Sequence, residues 1–459
     1  MKNSIEKQIE DTAFLNIPES EKPRVVIIGG GFGGVQLARE LSEDLFQIVL
    51  IDRYNYHTFL PLLYQVATAG LEPDSIAGPL RKMIRKKRDF YFRMVRARKI
   101  DPEEQIVYTS TGELRFDYLA IATGARVNYY GQESIRKHAF PFNQITHALD
   151  LRSHIFQQLE KAELTEDVKL RKKLMTFTVV GAGSTGVELC GALAELKKHI
   201  LKKDYPELNI DDVRICLIEG MDRILPAMSE KSGQKAHQYL DKMGVEIHTG
   251  NLTEKYDGDT VTLKNGQRIE TATLVWAAGV KGNLVEGFGD ESIQKHKLFV
   301  NTKNQVMRNR ETGEVFDNVF AIGDVALMKT PRFPDGLPGL AQAAIQHGRH
   351  LAANLQRKVL KKKMKGFRYR SKGVLVTIGR NKAVADLAGN VRLYGFISWF
   401  VWMITILFYL TGFRSKAVVF ANWVWNYFTF DRGIRLILRP SSKSKDTITR
   451  EMEHEMKEI

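Results

Sequence analysis

The 459-residue chain has only two cysteines, Cys190 and Cys216, and neither belongs to a C-x-x-C pair or to a metal-ligand spacing. That scarcity argues against a disulfide scaffold, a zinc site and dithiol redox chemistry, and no metal is expected. The opening MKNSIEKQIEDTAFLNIPESEKPR also lacks the apolar run of roughly seven to fifteen residues that an export signal needs, so the body is expected to stay in the cytoplasm or an equivalent compartment. Acids are in deficit, with 53 Asp and Glu against 68 Lys and Arg, a net charge of +15. The excess cations cluster at Arg81–Lys99 and Lys358–Lys372. Such runs face solvent or meet a polyanion, either nucleic acid or anionic lipid. The second run leads straight into an apolar segment, which favours a lipid surface, and nucleic acid is not an expected partner.

What is present is the composition of a globular protein, 44% hydrophobic and 26% charged, long enough for two or three domains. Two stretches carry the most information. In RVVIIGGGFGGVQLARELSEDLFQIVLIDR, a buried-strand run ending at Ile28 is followed at once by Gly29-x-Gly31-x-x-Gly34, then a helical pattern, then a second strand ending in Asp52. The first glycine permits the tight turn, the second lets a pyrophosphate approach the backbone, and the third allows close helix-to-strand packing. The helix N-terminus offers free N–H groups to the phosphates, and Asp52 is placed for ribose hydroxyls. About 150 residues later the same grammar returns in MTFTVVGAGSTGVELCGALAEL, with Gly181-x-Gly183-x-x-Gly186, and VRICLIEG closes its second strand at Glu219. Two fingerprints imply two dinucleotides, and electrons passing between them.

Glu219 carries a specificity argument. A carboxylate at that strand end accepts from a ribose 2′-OH and repels a 2′-phosphate, so NADH is expected over NADPH, although Arg223 four residues on weakens the expectation. FDYLAIATGA, ATLVWAAGV and VFAIGDVA are further strands, ending at Thr123-Gly124, Ala278-Gly279 and Gly323-Asp324.

This pattern resembles the two-dinucleotide-binding-domain flavoproteins. The resemblance implies an α/β chain of two Rossmann-like domains: the first fingerprint takes FAD, the second domain is inserted in the first and takes NADH, and the late Gly-Asp returns to FAD. On that basis Gly29, Gly31, Phe32, Gly33, Gly34, Asp52, Arg53, Thr123, Gly124, Gly323 and Asp324 are expected around FAD. Gly181, Gly183, Gly186, Glu219, Ala278 and Gly279 are expected around the nicotinamide dinucleotide. The expected domains are a polar extension 1–23, FAD-binding parts 24–145 and 297–370, an NADH-binding insert 146–296, a membrane-associating region 371–440 and a charged tail 441–459.

Within DGLPGLAQAAIQHGRHLAANL a helix is expected to begin just after Pro338-Gly339, with Ala341, Ala344, Ile345 and Gly348 as a small close-packing face. Gln342 and Gln346, four apart, share one side of it; on residue physics alone they read as two surface glutamines. The A-Q-x-A-x-Q block is similar, however, to the quinone-site motif of the type II NADH:quinone oxidoreductases, single-subunit respiratory-chain flavoenzymes that do not pump protons. NYHTFLPLLYQVATAG (Asn55 to Gly70) resembles that family's segment beside the flavin, and SKGVLVTIGRNKAVADL its strands after the quinone helix. The likeness runs from about Arg24 to about Arg439. It implies that Ala341, Gln342 and Gln346 lie at the flavin and quinone, and that Glu188, otherwise a first-turn acid favoured by the helix dipole, orients water or NADH there. A membrane quinone, menaquinone or ubiquinone, is the implied acceptor, and a homodimer is allowed. Two other readings stay open: a basic flavoprotein serving as a membrane or nucleic-acid signalling module, and a reductase of a small iron–sulfur protein.

The C-terminal region departs from relatives that end in shorter Lys-rich helices. LYGFISWFVWMITILFYLTGF, Leu393 to Phe413, has no formal charge and would make about 31 Å of helix, enough to cross a membrane. Basic residues flank it on both sides, and Gly395, Ser398, Trp402, Thr405, Tyr409 and Gly412 recur at helical spacing. Four of the five tryptophans, at 399, 402, 423 and 425, lie here and in the next apolar run. Two helices lying in the membrane surface are expected, with anionic headgroups on the flanking Arg and Lys, at the cytoplasmic face of the inner membrane. A transmembrane span and a buried core helix are the alternatives.

Overall fold

The computed structural model describes residues 15–84, 87–410, 412–429 and 434–437. The expected tail 441–459, and Arg432 and Arg439 among the basic flanks, lie outside them. The chain divides into two compact units, one made of residues 1–57, 78–126 and 280–371, the other of 58–77, 127–279 and 372–459.

The first unit starts with β1 (Arg24–Ile28), α1 (Phe32–Glu40) and β2 (Gln47–Asp52), followed by β3 (Phe90–Met94) and β4 (Tyr118–Ile121). Val25 to Ile28 and Gln47 to Ile51 are almost wholly buried. Such continuous apolar runs mark parallel strands covered on both faces. β1 pairs in parallel with β2 and β4, Ile28 standing beside both Ile51 and Ile121.

The second unit includes the short α2 (Leu63–Ala67), then α3 (Ile145–Leu164), β5 (Thr176–Val180), α4 (Ser184–Leu196), β6 (Arg214–Ile218), β7 (Val245–His248) and β8 (Thr273–Trp276). β8, β5, β6 and β7 lie side by side in parallel, a second doubly wound sheet. α2 packs against α3 and α4, which is why residues 58–77 group with this unit although they fall within the stretch 24–145.

The chain then returns to the first unit with β9 (Glu314–Ala321), parallel to β4, and the long helix α5 (Ala341–Val359). α5 lies against α1 closely enough that a Cβ on Gly348 would stand 2.5 Å from the Gly33 carbonyl oxygen. The small residues of this contact set the helix spacing.

Finally, in the second unit, the antiparallel sheet β10 (Gly373–Thr377), β11 (Ala383–Leu387) and β12 (Arg392–Tyr394) precedes α6 (Gly395–Tyr409) and α7 (Phe413–Thr429). The uncharged stretch therefore gives a helix of 15 residues, about 22 Å, because Leu393 and Tyr394 are drawn into a strand. Among the described residues no helix is long and apolar enough to cross a membrane. Of the recurring stripe, Ser398 and Trp402 are buried, with Ile406 beside them, where α6 packs on β10 to β12; Gly395, Thr405 and Tyr409 are half-buried and Gly412 is exposed, while Phe396, Ile397, Phe400, Ile404 and Phe408 face outward. The small Ser398, one turn before the buried Trp402, lets the helix approach the sheet, and the exposed apolar side chains point outward.

Candidate functional site

The two fingerprints build the same cradle twice. In the first unit Gly29 takes φ +111°, and a Cβ there would lie 2.3 Å from the Ala122 carbonyl oxygen. A Cβ on Gly34 would stand 1.9 Å from the Gly29 carbonyl oxygen, whereas one on Gly31 would meet nothing within 4 Å. In the second unit Gly181 has φ +103° with its would-be Cβ 2.5 Å from Ala278 Cα, Gly186 is blocked at 1.9 Å by the Gly181 oxygen, and Gly183 is again open. The outer glycines serve the protein's own packing, and the middle one leaves space at a helix start. Gly31 and Gly183 are the N-caps of α1 and α4, and neither N-terminus is capped by a side chain. Both cradles therefore fit a pyrophosphate, which would take up the free N–H groups.

The acid after each cradle is held the same way. Asp52 Oδ2 accepts from Gly30 N at 2.6 Å and Oδ1 from Tyr54 N at 2.8 Å. Glu219 Oε2 accepts from Ala182 N at 2.7 Å and Oε1 from Met221 N at 2.9 Å. Burial raises the Asp52 carboxyl, and the backbone N–H groups pull it back. Arg223, the residue that weakened the cofactor expectation, is spent elsewhere: its guanidinium donates to the carbonyls of Leu225, Pro226 and Met228 at 3.3, 2.8 and 3.0 Å.

The first unit adds contacts that the motif alone does not show. His57 is buried, donates Nδ1–H to the Gly30 carbonyl at 3.0 Å and meets the Phe32 ring edge-on at 4.7 Å. Burial pushes it down to about 4, so it is neutral. The Arg53 guanidinium stacks over Tyr54. Thr123 Oγ1 donates to the Asn283 carbonyl at 2.6 Å, and Gly124, at φ +68°, accepts from Asn283 N. Gly323 takes φ +71° and donates its N–H to His347 Nδ1 at 3.2 Å. Asp324 beside it is half-buried, its carboxyl raised by burial and lowered by Lys297, and among the described residues no donor reaches it. It lines a small cavity with Lys297, Gly339, Ala343 and His347. An acceptor without a donor at a cavity wall fits a hydroxylated chain such as that of FAD.

In the second unit Ala278 accepts from the Tyr130 hydroxyl at 3.2 Å, and a Cβ on Gly279 would stand 2.3 Å from that oxygen. Glu188 is buried on α4, accepts a hydrogen bond from the Thr377 backbone, and burial lifts its carboxyl to about 8. It is a neutral acid at pH 7, not a solvated first-turn carboxylate.

α5 begins at Ala341, as its Pro-Gly lead-in predicts. Gln342 and Gln346 are both half-buried. Gln346 is committed to the chain itself: its amide donates to the Arg370 carbonyl at 2.9 Å and accepts from Arg370 N at 3.0 Å. The buried face of α5 is Ala343, Ala344, His347, Gly348 and Leu351; Ala341 and Ile345 are only half-buried.

Cys190 and Cys216 are both buried free thiols. Sequence spacing gave no hint that strand register sets Cys216 beside Glu246, with His248 two residues on. Arg214 forks onto Glu246 at 2.7 and 2.6 Å, so the carboxylate is already neutralised, and burial pushes the Cys216 thiol up to about 12.

Comparisons with known proteins agree with this architecture. The family described as pyridine nucleotide-disulphide oxidoreductase matches residues 23–348. A type II NADH:quinone oxidoreductase, Ndh, of Mycobacterium tuberculosis is 35% identical over 431 residues, covering 91% of each chain. An internal alternative NAD(P)H-ubiquinone oxidoreductase of Arabidopsis thaliana mitochondria is 28% identical, covering 95% of this chain and 89% of the relative. The solved NDH2 of Plasmodium falciparum, in complex with NADH, superposes with a TM-score of 0.82 at 20% identity, covering 91% of this chain and all of that one. The two cradles, and the similarity along nearly the whole chain, make this protein a member of the type II NADH:quinone oxidoreductases, within the pyridine nucleotide-disulphide oxidoreductase family.

Proposed function

We propose that the protein oxidises NADH and reduces a membrane quinone, without moving protons across the bilayer, from the cytoplasmic face of the inner membrane. The duplicated cradle is the observation that carries this reading. When bound, FAD supplies a carrier that accepts two electrons from NADH and delivers them to quinone. The chain's own residues bind and orient. Gly31, Asp52, Thr123, Gly124, Gly323 and Asp324 hold FAD, and Gly183, Glu219, Ala278 and Gly279 hold NADH, with Glu219 accepting from both ribose hydroxyls. Glu188 keeps a proton at neutral pH in a buried site, where it can donate a hydrogen bond. Gln342 faces the quinone carbonyl in this reading, while Gln346 fixes the register of α5 through Arg370.

The apolar exposed side chains of α6 and of α7, where Phe420, Val424, Trp425 and Phe428 are exposed, support a helix pair lying in the membrane surface. The sequence of α6 holds no Lys, Arg, His, Asp or Glu that could relay protons. α7 also donates two hydrogen bonds to the segment that resembles the family's flavin-side stretch: Trp423 Nε1 to Gln65 Oε1 at 2.9 Å and Asn426 Nδ2 to the Gly70 carbonyl at 3.3 Å. A quinone leaving the lipid beside α7 would meet that segment first.

Stopped-flow absorbance tests the reading. Purified yellow protein should be bleached by NADH far faster than by NADPH, then recover its colour on mixing with menaquinone or ubiquinone analogues. A flavin that NADH bleaches but no quinone reoxidises would sink it in favour of a binding module.

A further inference from the structure

α4 presents a stripe of Glu188, Gly191 and Glu195 at helical spacing, and all three meet one turn of chain, Thr377 to Arg380. The Thr377 backbone bonds Glu188, a Cβ on Gly191 would lie 3.1 Å from Gly379 N, and Arg380 N donates to Glu195 Oε1. Gly379 takes φ +74°, and a Cβ there would press to 2.9 Å on Glu195 Oε1, so the turn is built for this close approach.

From that turn the Arg380 side chain reaches α7. Its Nη1 donates to the Tyr427 carbonyl at 2.9 Å and its Nη2 to the Asn426 carbonyl at 2.6 Å, with the guanidinium over the Tyr427 ring at 5.1 Å. Those carbonyls belong to the last turn of α7, where oxygens lack intrahelical partners and the helix dipole is negative. A planar cation with two parallel donors satisfies both oxygens at once. One turn earlier α7 holds Gln65 through Trp423, and α2, which contains Gln65, packs against α4. The path α4, Arg380 turn, α7, α2 and back to α4 is a closed ring of contacts within one unit.

We propose that Arg380 is a positioning residue for quinone reduction: it clamps the C-terminal end of α7 to the helix that carries Glu188, so that the Gln65–Gly70 wall keeps its shape while the outer face of α7 sits in lipid. The clamp touches no reacting group. This rests on the reading that quinone arrives beside α7.

The test uses the full-length flavin-loaded enzyme in detergent micelles, with NADH and a one-isoprene ubiquinone analogue. For Arg380→Gln, KM for the analogue should rise roughly tenfold or more, the scale of losing a charge-assisted hydrogen bond. The limiting rate at saturating quinone and the rate of flavin bleaching by NADH should stay near those of the parent. Arg380→Lys keeps the charge without the fork and should recover part of the loss; it also reports alone if the Gln variant does not retain flavin. An unchanged KM in both variants overturns the proposal. So does a parallel fall in NADH bleaching and quinone reduction, which marks general damage to the fold. If the parent itself is not reoxidised by the analogue, the functional reading fails; if the parent turns over and the variants match it, only the role of Arg380 does.

Discussion

The indole N–H of Trp423 donates to Gln65 Oε1 at 2.9 Å, joining residues 358 positions apart in the chain. Gln65 turns its other end to the neighbouring Tyr64 hydroxyl at 2.8 Å, so the amide is fixed at both ends. Trp423→Phe keeps most of the ring area and removes the donor alone. It should cost about 1 kcal/mol of stability, read by denaturant midpoint, and slow reoxidation by quinone more than reduction by NADH. Equal slowing of both steps would detach this contact from the quinone side.

The glycines of each fingerprint separate fold from ligand. Gly186→Ala drives a Cβ into the Gly181 carbonyl at 1.9 Å and should destabilise the protein by several kcal/mol. Gly183→Ala meets nothing within 4 Å in the protein, so its thermal midpoint should stay at the parent's while affinity for NADH falls. Isothermal titration with NADH, beside a melting curve, distinguishes the two; a Gly183→Ala enzyme with parental affinity would show that the open space is not the pyrophosphate's.

Glu188 predicts a slope of stability against pH. Its folded value of about 8 lies above the ordinary 4.5 because burial disfavours the charged form. The folded state therefore binds this proton more tightly than the unfolded chain, and the stability it lends is fully present below pH 4.5 and is lost as pH rises through about 8. Glu188→Gln should remove that slope, gaining on the parent across the same window and keeping a constant difference above it. Denaturant titrations across the window test this; a stability difference independent of pH would mean that Glu188 is ionised in the fold.

Cofactor choice should follow Glu219 and not Arg223. Glu219→Gln removes the charge that opposes a 2′-phosphate, and the ratio of NADPH to NADH efficiency should rise about tenfold. Arg223→Ala should lower the melting temperature, since three carbonyls lose their donor, and leave that ratio unchanged. A marked rise in NADH preference in Arg223→Ala would instead place the guanidinium at the ribose.

Phe400 and Phe428 are exposed on α6 and α7. Changing both to Ser should leave reduction by NADH intact and weaken co-sedimentation with vesicles containing anionic lipid. Undiminished vesicle binding would remove these faces from the anchor.

The sequence by itself determined both cradles. Their requirements are local: a Cβ is intolerable at Gly29, Gly34, Gly181 and Gly186 because backbone a few residues or one strand away fills its place, and an acid must end the next strand. It also located the apolar C-terminal run and its stripe, because helical periodicity is a property of neighbours. Only the tertiary structure decided what depends on distant chain meeting. It placed Ser398 and Trp402 of the α6 stripe against a small sheet and ended that helix at Tyr409, tied Gln346 to Arg370, and put Glu246 beside Cys216 through strand register. Burial of Glu188 likewise raises its carboxyl and keeps a proton there at neutral pH, against the opposing pull of the distant Thr377 backbone N–H. Backbone sterics act over a few residues and leave a pattern in the sequence; the partner of a side chain is set by packing between segments tens to hundreds of residues apart, and no local pattern records it.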